Sequence, residues 1–467
     1  MSQERPIRLH AGPWSLEFER WSGWIRAIRL GDHEILRNVY ESVRGPDWST
    51  YRFYSATNGV SQEENSFEAH WNLECDDLNL TWEGSCRCDG SVLEIVLDGS
   101  IGEDFSTRRT GLCVLHPREW AGTACVVRHP NGSSESLTFP SSISPTSPFF
   151  EIKSLAYGNV LVEFDGEVFE TEDQRNWSDA SFKTYCRPQA WPQPYELKAG
   201  SKVRHSVRLS FTGSPPAYVC DPTTKLSLGS DFVPLPLLGT RGRKEDERFD
   251  FLLGSDGTVG ETLNISFSLD RGALGFLEGP IFYGPNSDFV DLNRNRPDMG
   301  QFDGVVYGIT PQVHTFDDRS IMENLHSQGD VLATAKEISG GKPVFVGPIL
   351  FRKDSSEEDI RLEDPIAAAW FLASFSLLAA GGAYAVCYFD EHVFRGRLGE
   401  MLKLLGEFRG GGISAMTSAN PYRAMGFRLR NELGHRDCLI NVTPFTEEVG
   451  FEGNRYTLDP FEVRVVG

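Results

Sequence analysis

Several things a sequence of this length often carries are missing, and each gap removes a class of function. No apolar run is long enough to cross a bilayer. The longest, Ile366 to Ala380, stops after about fifteen residues at Gly381-Gly382, and a span needs about 20. The opening decapeptide MSQERPIRLH has no apolar signal-peptide core. Cysteine is sparse and scattered: nine residues, an odd number, with Cys86-Arg87-Cys88 the only close pair. That pattern provides neither a disulfide framework nor a zinc set. Reduced thiols in a cytoplasmic protein are the expectation. Basic residues are in deficit, 45 Lys and Arg against 66 Asp and Glu, for a net charge of −21. This argues against a nucleic-acid backbone as partner and against docking on an anionic membrane. Internal repeats and low-complexity tracts are absent.

Catalytic signatures are missing too. There is no G-x-S-x-G elbow for a serine esterase, and no H-x-H or H-E-x-x-H for zinc. Leu253-Gly254-Ser255-Asp256-Gly257 has neither a phosphate-loop lysine nor a dinucleotide fingerprint. These absences favour acid/base chemistry with water as the nucleophile, and neither a metal nor another cofactor is expected.

What is present divides the chain by texture. From Trp14 to Phe211 apolar residues alternate with polar ones, as in Phe67-Ala69-Trp71-Leu73, Leu78-Leu80-Trp82, Leu93-Ile95-Leu97 and Val203-His205-Val207-Leu209-Phe211. Period-two runs with turn residues about every ten positions predict an antiparallel β-sandwich. Trp24 to Leu30 reads as an edge-like strand turned by Gly31-Asp32. Asp165-Gly166 reads as a hairpin between Val160–Phe164 and Val168-Phe169. The linker Thr212 to Pro216 ends this first domain, residues 1–216.

Residues 217–412 alternate short apolar strands with helices. Strands are predicted at 305–309, 343–347 and 383–389. A helical hairpin or kinked helix begins at Asp318, a long helix follows Asp364 and Pro365, and an amphipathic helix runs from Leu398 to Phe408. Such βα repetition predicts a parallel sheet closed as a (β/α) TIM-type barrel. Between 224 and 300 the strand candidates 225–228, 249–253, 264–269 and 281–283 have no apolar helix between them, so the barrel is expected to be shortened or incomplete. Residues 413–467 return to strands, as a small C-terminal antiparallel β region.

Polar residues gather at predicted strand ends. Asp291, Asn293, Arg294 and Arg296 follow one strand, Gln312, His314, Asp317 and Asp318 a second, and Asp390 ends the strand through Tyr388. Carboxylates and an imidazole at the C-terminal ends of barrel strands suit a general base and acid, while paired arginines suit a carboxylate or lactone oxygen. Asp317 and Asp318 equally suit helix capping. Glu391 is read as solvated. In the sandwich, the stretch from Glu170 to Tyr185 is too polar for a strand end. Its Glu170, Glu172, Asp173, Arg175, Asn176, Trp177, Asp179 and Lys183 look like a site wall or an interdomain lock.

Four motifs carry a resemblance: Glu172 to Tyr185 (EDQRNWSDASFKTY), Leu292 to Pro297 (LNRNRP), Pro311-Gln312-Val313-His314 with Phe316-Asp317-Asp318, and Tyr388-Phe389-Asp390 with Arg395-Gly396. Phe139 to Pro145 is a weaker fifth. With these motifs in this order, the chain resembles the D-apionate lactonase family, which opens the lactone of a branched sugar acid in bacterial apiose breakdown. The resemblance implies a mutarotase-like sandwich, a central barrel and a small C-terminal β region, with this barrel shorter than the family's. It implies a small-molecule sugar lactone as the substrate. Within these motifs and strand ends, we assign Asp390, Asp291 and His314 to catalysis. Asn293, Arg294, Arg296, Gln312, Asp317, Tyr388, Lys183, Asp173, Arg175 and Trp177 are assigned to substrate binding. Two alternatives stay open: a glycoside hydrolase using two carboxylates, and a non-catalytic carbohydrate-binding homologue.

Overall fold

Period-two alternation produces its strands where it is cleanest. From Phe67 to Glu74 every odd position is buried and every even one exposed, and Leu80–Cys88 and Val92–Ile101 bury every second residue likewise. In a computed structural model, the structure describes residues 4–215, 223–242, 248–253, 258–259, 263–266, 280–284, 288–352 and 359–467. The chain forms two compact units. The first comprises residues 1–173 and 181–220, the second 174–180 and 221–467. Among the described residues no helix is long and apolar enough to cross a membrane.

The first unit holds an eight-stranded and a nine-stranded sheet, joined face to face by one core. Trp14, Phe18, Ile25, Leu112 and Phe182 from the former meet Trp71, Trp82, Leu97, Val162 and Leu209 from the latter. Burying each such side chain contributes about 1.5–3 kcal/mol. Two expectations need correction here. Ile25–Leu30 is not an edge; it pairs on one side with Trp14–Phe18 and on the other with His33–Arg44. Nor does Asp165-Gly166 make a hairpin. Val160–Asp165 pairs with Lys202–Phe211 in the nine-stranded sheet, whereas Phe169–Asp173 pairs with Ser181–Cys186 in the other. The turn carries the chain across the sandwich. Gly166 makes this possible: its φ is +106°, and a Cβ there would lie 2.0 Å from the Arg204 carbonyl.

In the second unit a mainly parallel sheet curls into a circuit. Its strands are Leu237–Arg241, Phe251–Leu253, Thr258–Val259, Leu263–Ser266, Ile281–Tyr283, Gly304–Ile309, Val344–Ile349 and Ala385–Asp390, and the last pairs back with the first. Thr258–Val259 is antiparallel to both neighbours. The barrel is therefore irregular rather than short of strands. Its first described helix after residue 223 is Phe289–Arg294. Leu253, Phe282, Val306, Phe345, Ala385 and Cys387 fill the interior. The predicted helices stand at Asp318–Glu323 and Ser327–Ile338, joined through a 3₁₀ turn, then Pro365–Ala380 and Gly396–Glu407. The predicted strand 264–269 is seen at Leu263–Ser266; positions 267–269 lie outside the described residues.

The sheet after the barrel is not wholly antiparallel, nor built only from the C-terminal residues. Thr223–Leu228, expected with the barrel strands, lies within it, parallel to Glu447–Phe451 and antiparallel to Gly412–Ser418. Leu226, Met416, Leu439, Val449 and Phe451 form its core.

Removing a filler of the barrel interior should be costly. Phe345 is 1% exposed, so Phe345→Ala is expected to lower unfolding free energy by about 3–5 kcal/mol, measured by denaturant titration. Phe150→Ala, at a residue 53% exposed, should change it by less than about 0.5 kcal/mol.

Candidate active site

Asp179 is the side chain around which the second unit's polar groups collect. It is the penultimate residue of a short segment, Gln174 to Ala180, that leaves the first unit's sheet between two paired strands and belongs to the second unit. A 3₁₀ turn, Gln174–Trp177, opens the segment. Ser178 then adopts a left-handed conformation with φ of +62°, which costs a non-glycine residue roughly 1–2 kcal/mol. Strain of this kind persists only where neighbouring contacts impose it. Those contacts are dense. Asn293 donates to Asn176 at 2.9 Å, Ser327 Oγ donates to the Ser178 carbonyl at 2.6 Å, and buried Arg175 meets Asp330 at 3.5 Å.

The Asp179 carboxylate is buried and engaged at both oxygens. Oδ2 lies 2.5 Å from His314 Nδ1, and Oδ1 accepts from Asn324 Nδ2 at 2.8 Å. A carboxylate accepts, so Nδ1 is the donor and base chemistry falls to Nε2. Trp177 stands edge-on to the His314 ring with centroids 5.8 Å apart, and the exposed guanidinium of Arg294 lies over the same indole at 5.8 Å. The result is a row running from Arg294 through Trp177, His314 and Asp179 to Asn324.

His314 is held on its loop by a second network. Gln312 donates to the Phe351 carbonyl at 2.7 Å and to Asp359 at 2.8 Å, and accepts from Arg361 at 2.8 Å. Arg361 also donates to the Phe316 carbonyl and to Asp318. Burial alone would raise the Asp359 pKa, but hydrogen bonds from Arg361 and Gln312 hold it down to about 2.

Asp390 forms a separate pair. The ladder between Leu237–Arg241 and Ala385–Asp390 slips a register after Gly239, and Phe389 takes a φ of +47°. This irregularity sets Asp390 beside Arg241, carboxylate to guanidinium at 3.2 Å, each about one-third exposed. Such bulges commonly re-aim a side chain at a strand end. Strands Gly304–Ile309 and Ala385–Asp390 both run parallel to Val344–Ile349, so Asp390 and the loop bearing His314 leave the same edge of the sheet. Glu391, read as solvated, is half-buried, and a Cβ on Gly242 would fall 2.4 Å from its carboxylate.

Of the residues read from the sequence as site residues, His314, Trp177, Arg294 and Asn293 are brought together. Asp291 sits in helix Phe289–Arg294. There its charge adds to the upward shift that burial gives the Tyr283 hydroxyl. Several others of these residues make structural contacts. Tyr388 is fully buried against Phe371 and shares its hydroxyl with Ser374 at 2.7 Å. Asp317, not Asp318, caps helix Asp318–Glu323 by accepting from Ser320 N. Gln312 spends both amide donors and its acceptor on the loop network. Arg296 braces Asn293 through its carbonyl at 3.2 Å and its side chain at 2.7 Å. Arg175 is committed to Asp330. Asp173 and Lys183 belong to the first unit. Asp173 is buried and accepts from Ser144 N at 3.0 Å, while burial lowers the Lys183 pKa to about 8. Asp179 is legible only as one polar residue of the Glu170–Tyr185 stretch and Asn324 not at all, since nothing local marks residues that meet across some 135 to 145 positions.

One cluster elsewhere has metal-ligand chemistry without the geometry. Glu167, Cys186 and His205 bring ligand atoms within 4.8 Å. His205 Nδ1 accepts from Leu112 N at 3.3 Å and faces Cys186 Sγ at 3.6 Å. The other ring nitrogen faces Glu167 at 3.8 Å. One cation cannot use both sides of the ring. Burial lowers the His205 pKa to about 4 and raises that of Cys186.

Comparison with known proteins gives the following. Residues 1–214 match the family model for the D-apionate lactonase N-terminal domain, and residues 276–353 match the model for the D-apionate lactonase TIM barrel domain. A D-apionate lactonase of Brucella anthropi is 25% identical over 449 residues, covering 74% of this chain and 73% of that protein. A GH36 α-galactosidase of Geobacillus stearothermophilus, complexed with raffinose, overlaps 99% of each chain at 9% identity and a TM-score of 0.31. A putative aldose 1-epimerase of Escherichia coli overlaps 44% of this chain and 98% of its own at 8% identity and a TM-score of 0.30. Both structural overlaps are too loose to argue from.

The Asp359 network makes a pH-dependent prediction. Its pKa is lower in the folded chain than in the unfolded one, so its stabilisation is present above the unfolded value near ~3.9. That contribution is lost as pH falls through about 2. Across this interval the wild type should lose stability more steeply than Asp359→Asn in denaturant titrations; parallel curves would contradict the network.

Proposed function

The chain belongs to the D-apionate lactonase family, and from that premise we propose that it hydrolyses a sugar-acid lactone, D-apionolactone or a close relative, to the open-chain acid. The observation carrying this reading is the 2.5 Å contact between Asp179 and His314. An imidazole whose Nδ1–H is held by a buried carboxylate presents Nε2 as a base, and the carboxylate stabilises the imidazolium that forms.

Water attacks the lactone carbonyl as Nε2 of His314 removes its proton. A new carbon–oxygen bond forms and the carbonyl electrons move onto oxygen. When that intermediate collapses, the ring carbon–oxygen bond breaks and the imidazolium returns the proton to the departing alkoxide. The product carries one carboxyl and one new hydroxyl. Arg294, held over Trp177, supplies positive charge to the developing oxyanion. Its indole platform limits the side-chain freedom lost on binding.

A second reading makes Asp390 the base that activates water. What favours it is its position, set by the strained Phe389 and paired with Arg241, at the sheet edge from which catalytic groups of parallel barrels emerge. The two readings separate cleanly by mutation.

Against a panel of aldonolactones including apionolactone, the protein should form the corresponding acids; a folded protein inactive on the whole panel would contradict the proposal. Asp179→Asn should lower kcat by about 10²–10⁴-fold with KM changed less than about threefold. If the second reading holds instead, Asp390→Asn shows that loss and Asp179→Asn does not.

A further inference from the structure

Asp179 meets His314 with only one of its oxygens. The other accepts from Asn324 Nδ2 at 2.8 Å, while the Asn324 amide oxygen accepts from Ala180 N at 3.2 Å. One amide group thus grips both the carboxylate and the peptide that follows it. Only this orientation of the amide works. Turned over, it would set oxygen against oxygen at Asp179 and N–H against N–H at Ala180.

The placement of Asn324 follows from local structure. It begins the 3₁₀ turn Asn324–His326 that joins helices Asp318–Glu323 and Ser327–Ile338. The helix Asp318–Glu323 is started by the Asp317 cap, four residues after Val313 on the loop that carries His314. Ser327, three positions past Asn324, donates to the Ser178 carbonyl at 2.6 Å. The backbone on each side of Asp179 is therefore fixed from one short stretch, and its side chain is fixed from the same stretch.

We propose that Asn324 is the positioning residue of the dyad. By holding Oδ1 it aims Oδ2 at His314 Nδ1 and keeps the ring in the Nδ1–H tautomer, leaving Nε2 as the basic nitrogen. This rests on the reading of His314 as the acid–base group. A purely structural tie for residues 174–180 would affect folding yet leave the tautomer of a folded protein alone. The ring nitrogens therefore separate the two roles. They report on the dyad directly, whatever substrate it serves.

The test uses the full chain labelled with ¹⁵N-histidine, with the His314 ring signals assigned by their loss in His314→Gln. In the wild type at neutral pH, Nδ1 should carry the proton. Asn324→Ala removes both bonds. Asn324→Asp keeps the shape and the acceptor for Ala180 but replaces the donor with a repelling oxygen, so it remains informative if the alanine variant does not fold. Each variant that folds should show a mixture containing the Nε2–H tautomer. Each should also lose about 10- to 100-fold in kcat on the best aldonolactone, with KM held within about threefold. A folded variant that keeps a pure Nδ1–H tautomer and wild-type kcat would overturn the proposal. If the tautomer shifts as expected but the wild type opens no lactone, the positioning role stands and the lactonase reading fails.

Discussion

A carboxylate taken out of water must be answered by donors, and Asp179 is answered at both oxygens, by His314 and by Asn324. Leaving either bond unmade would cost on the order of 1–3 kcal/mol or more, since the acceptor is charged. That requirement organises the surrounding structure. The loop from Thr310 to Phe316 must hold His314, which explains why Gln312, Arg361 and Asp359 form a network of their own. The helix pair after it must present Asn324 and Ser327 together, so the pair is broken by a 3₁₀ turn instead of running as one helix. Ser178 must accept a left-handed backbone, a cost tolerated because its carbonyl and the Ala180 N–H are both engaged.

The same set of contacts makes chemical sense for opening a lactone. Such a reaction needs one group that takes a proton and later returns it, and positive charge where the carbonyl oxygen becomes an anion. In the proposed mechanism an imidazole oriented by a carboxylate supplies the first, and an arginine over an indole the second. Asp390 and Arg241 add a carboxylate–guanidinium pair at the same edge of the parallel sheet. Its strained Phe389 marks it as a position where backbone cost is exchanged for side-chain placement.

Much of the architecture can be read in the residues alone, because side-chain alternation is local. Phe67 to Leu73 and Val203 to Phe211 declare their strands by period, and Asp364-Pro365 declares the start of its helix. What stays hidden is partnership. Asp165-Gly166 is a turn by its own chemistry, yet nothing within it tells a hairpin from a crossing between sheets; the Arg204 carbonyl packed against Gly166 decides that. Leu237–Arg241 escaped notice as a barrel strand because it is five residues long and interrupted by Gly239. The site shows the same division. His314, Arg294 and Trp177 stand out as polar or aromatic groups at element ends. Tyr388, Gln312 and Arg296 stand out equally, and nothing local announces the hydrogen bonds that they make to Ser374, Asp359 and Asn293. Asp179 lay in plain view within the motif Glu172 to Tyr185, but its partner is 135 positions away.

The central claim is that Asp179 and His314 act as one catalytic unit. A double-mutant cycle in kcat/KM for aldonolactone hydrolysis, with Asp179→Asn, His314→Gln and the two combined, tests it most directly. Residues acting as a unit are strongly non-additive, so the double variant should be no more than about threefold less active than the slower single variant. Losses that multiply would contradict the account and return the role of base to Asp390.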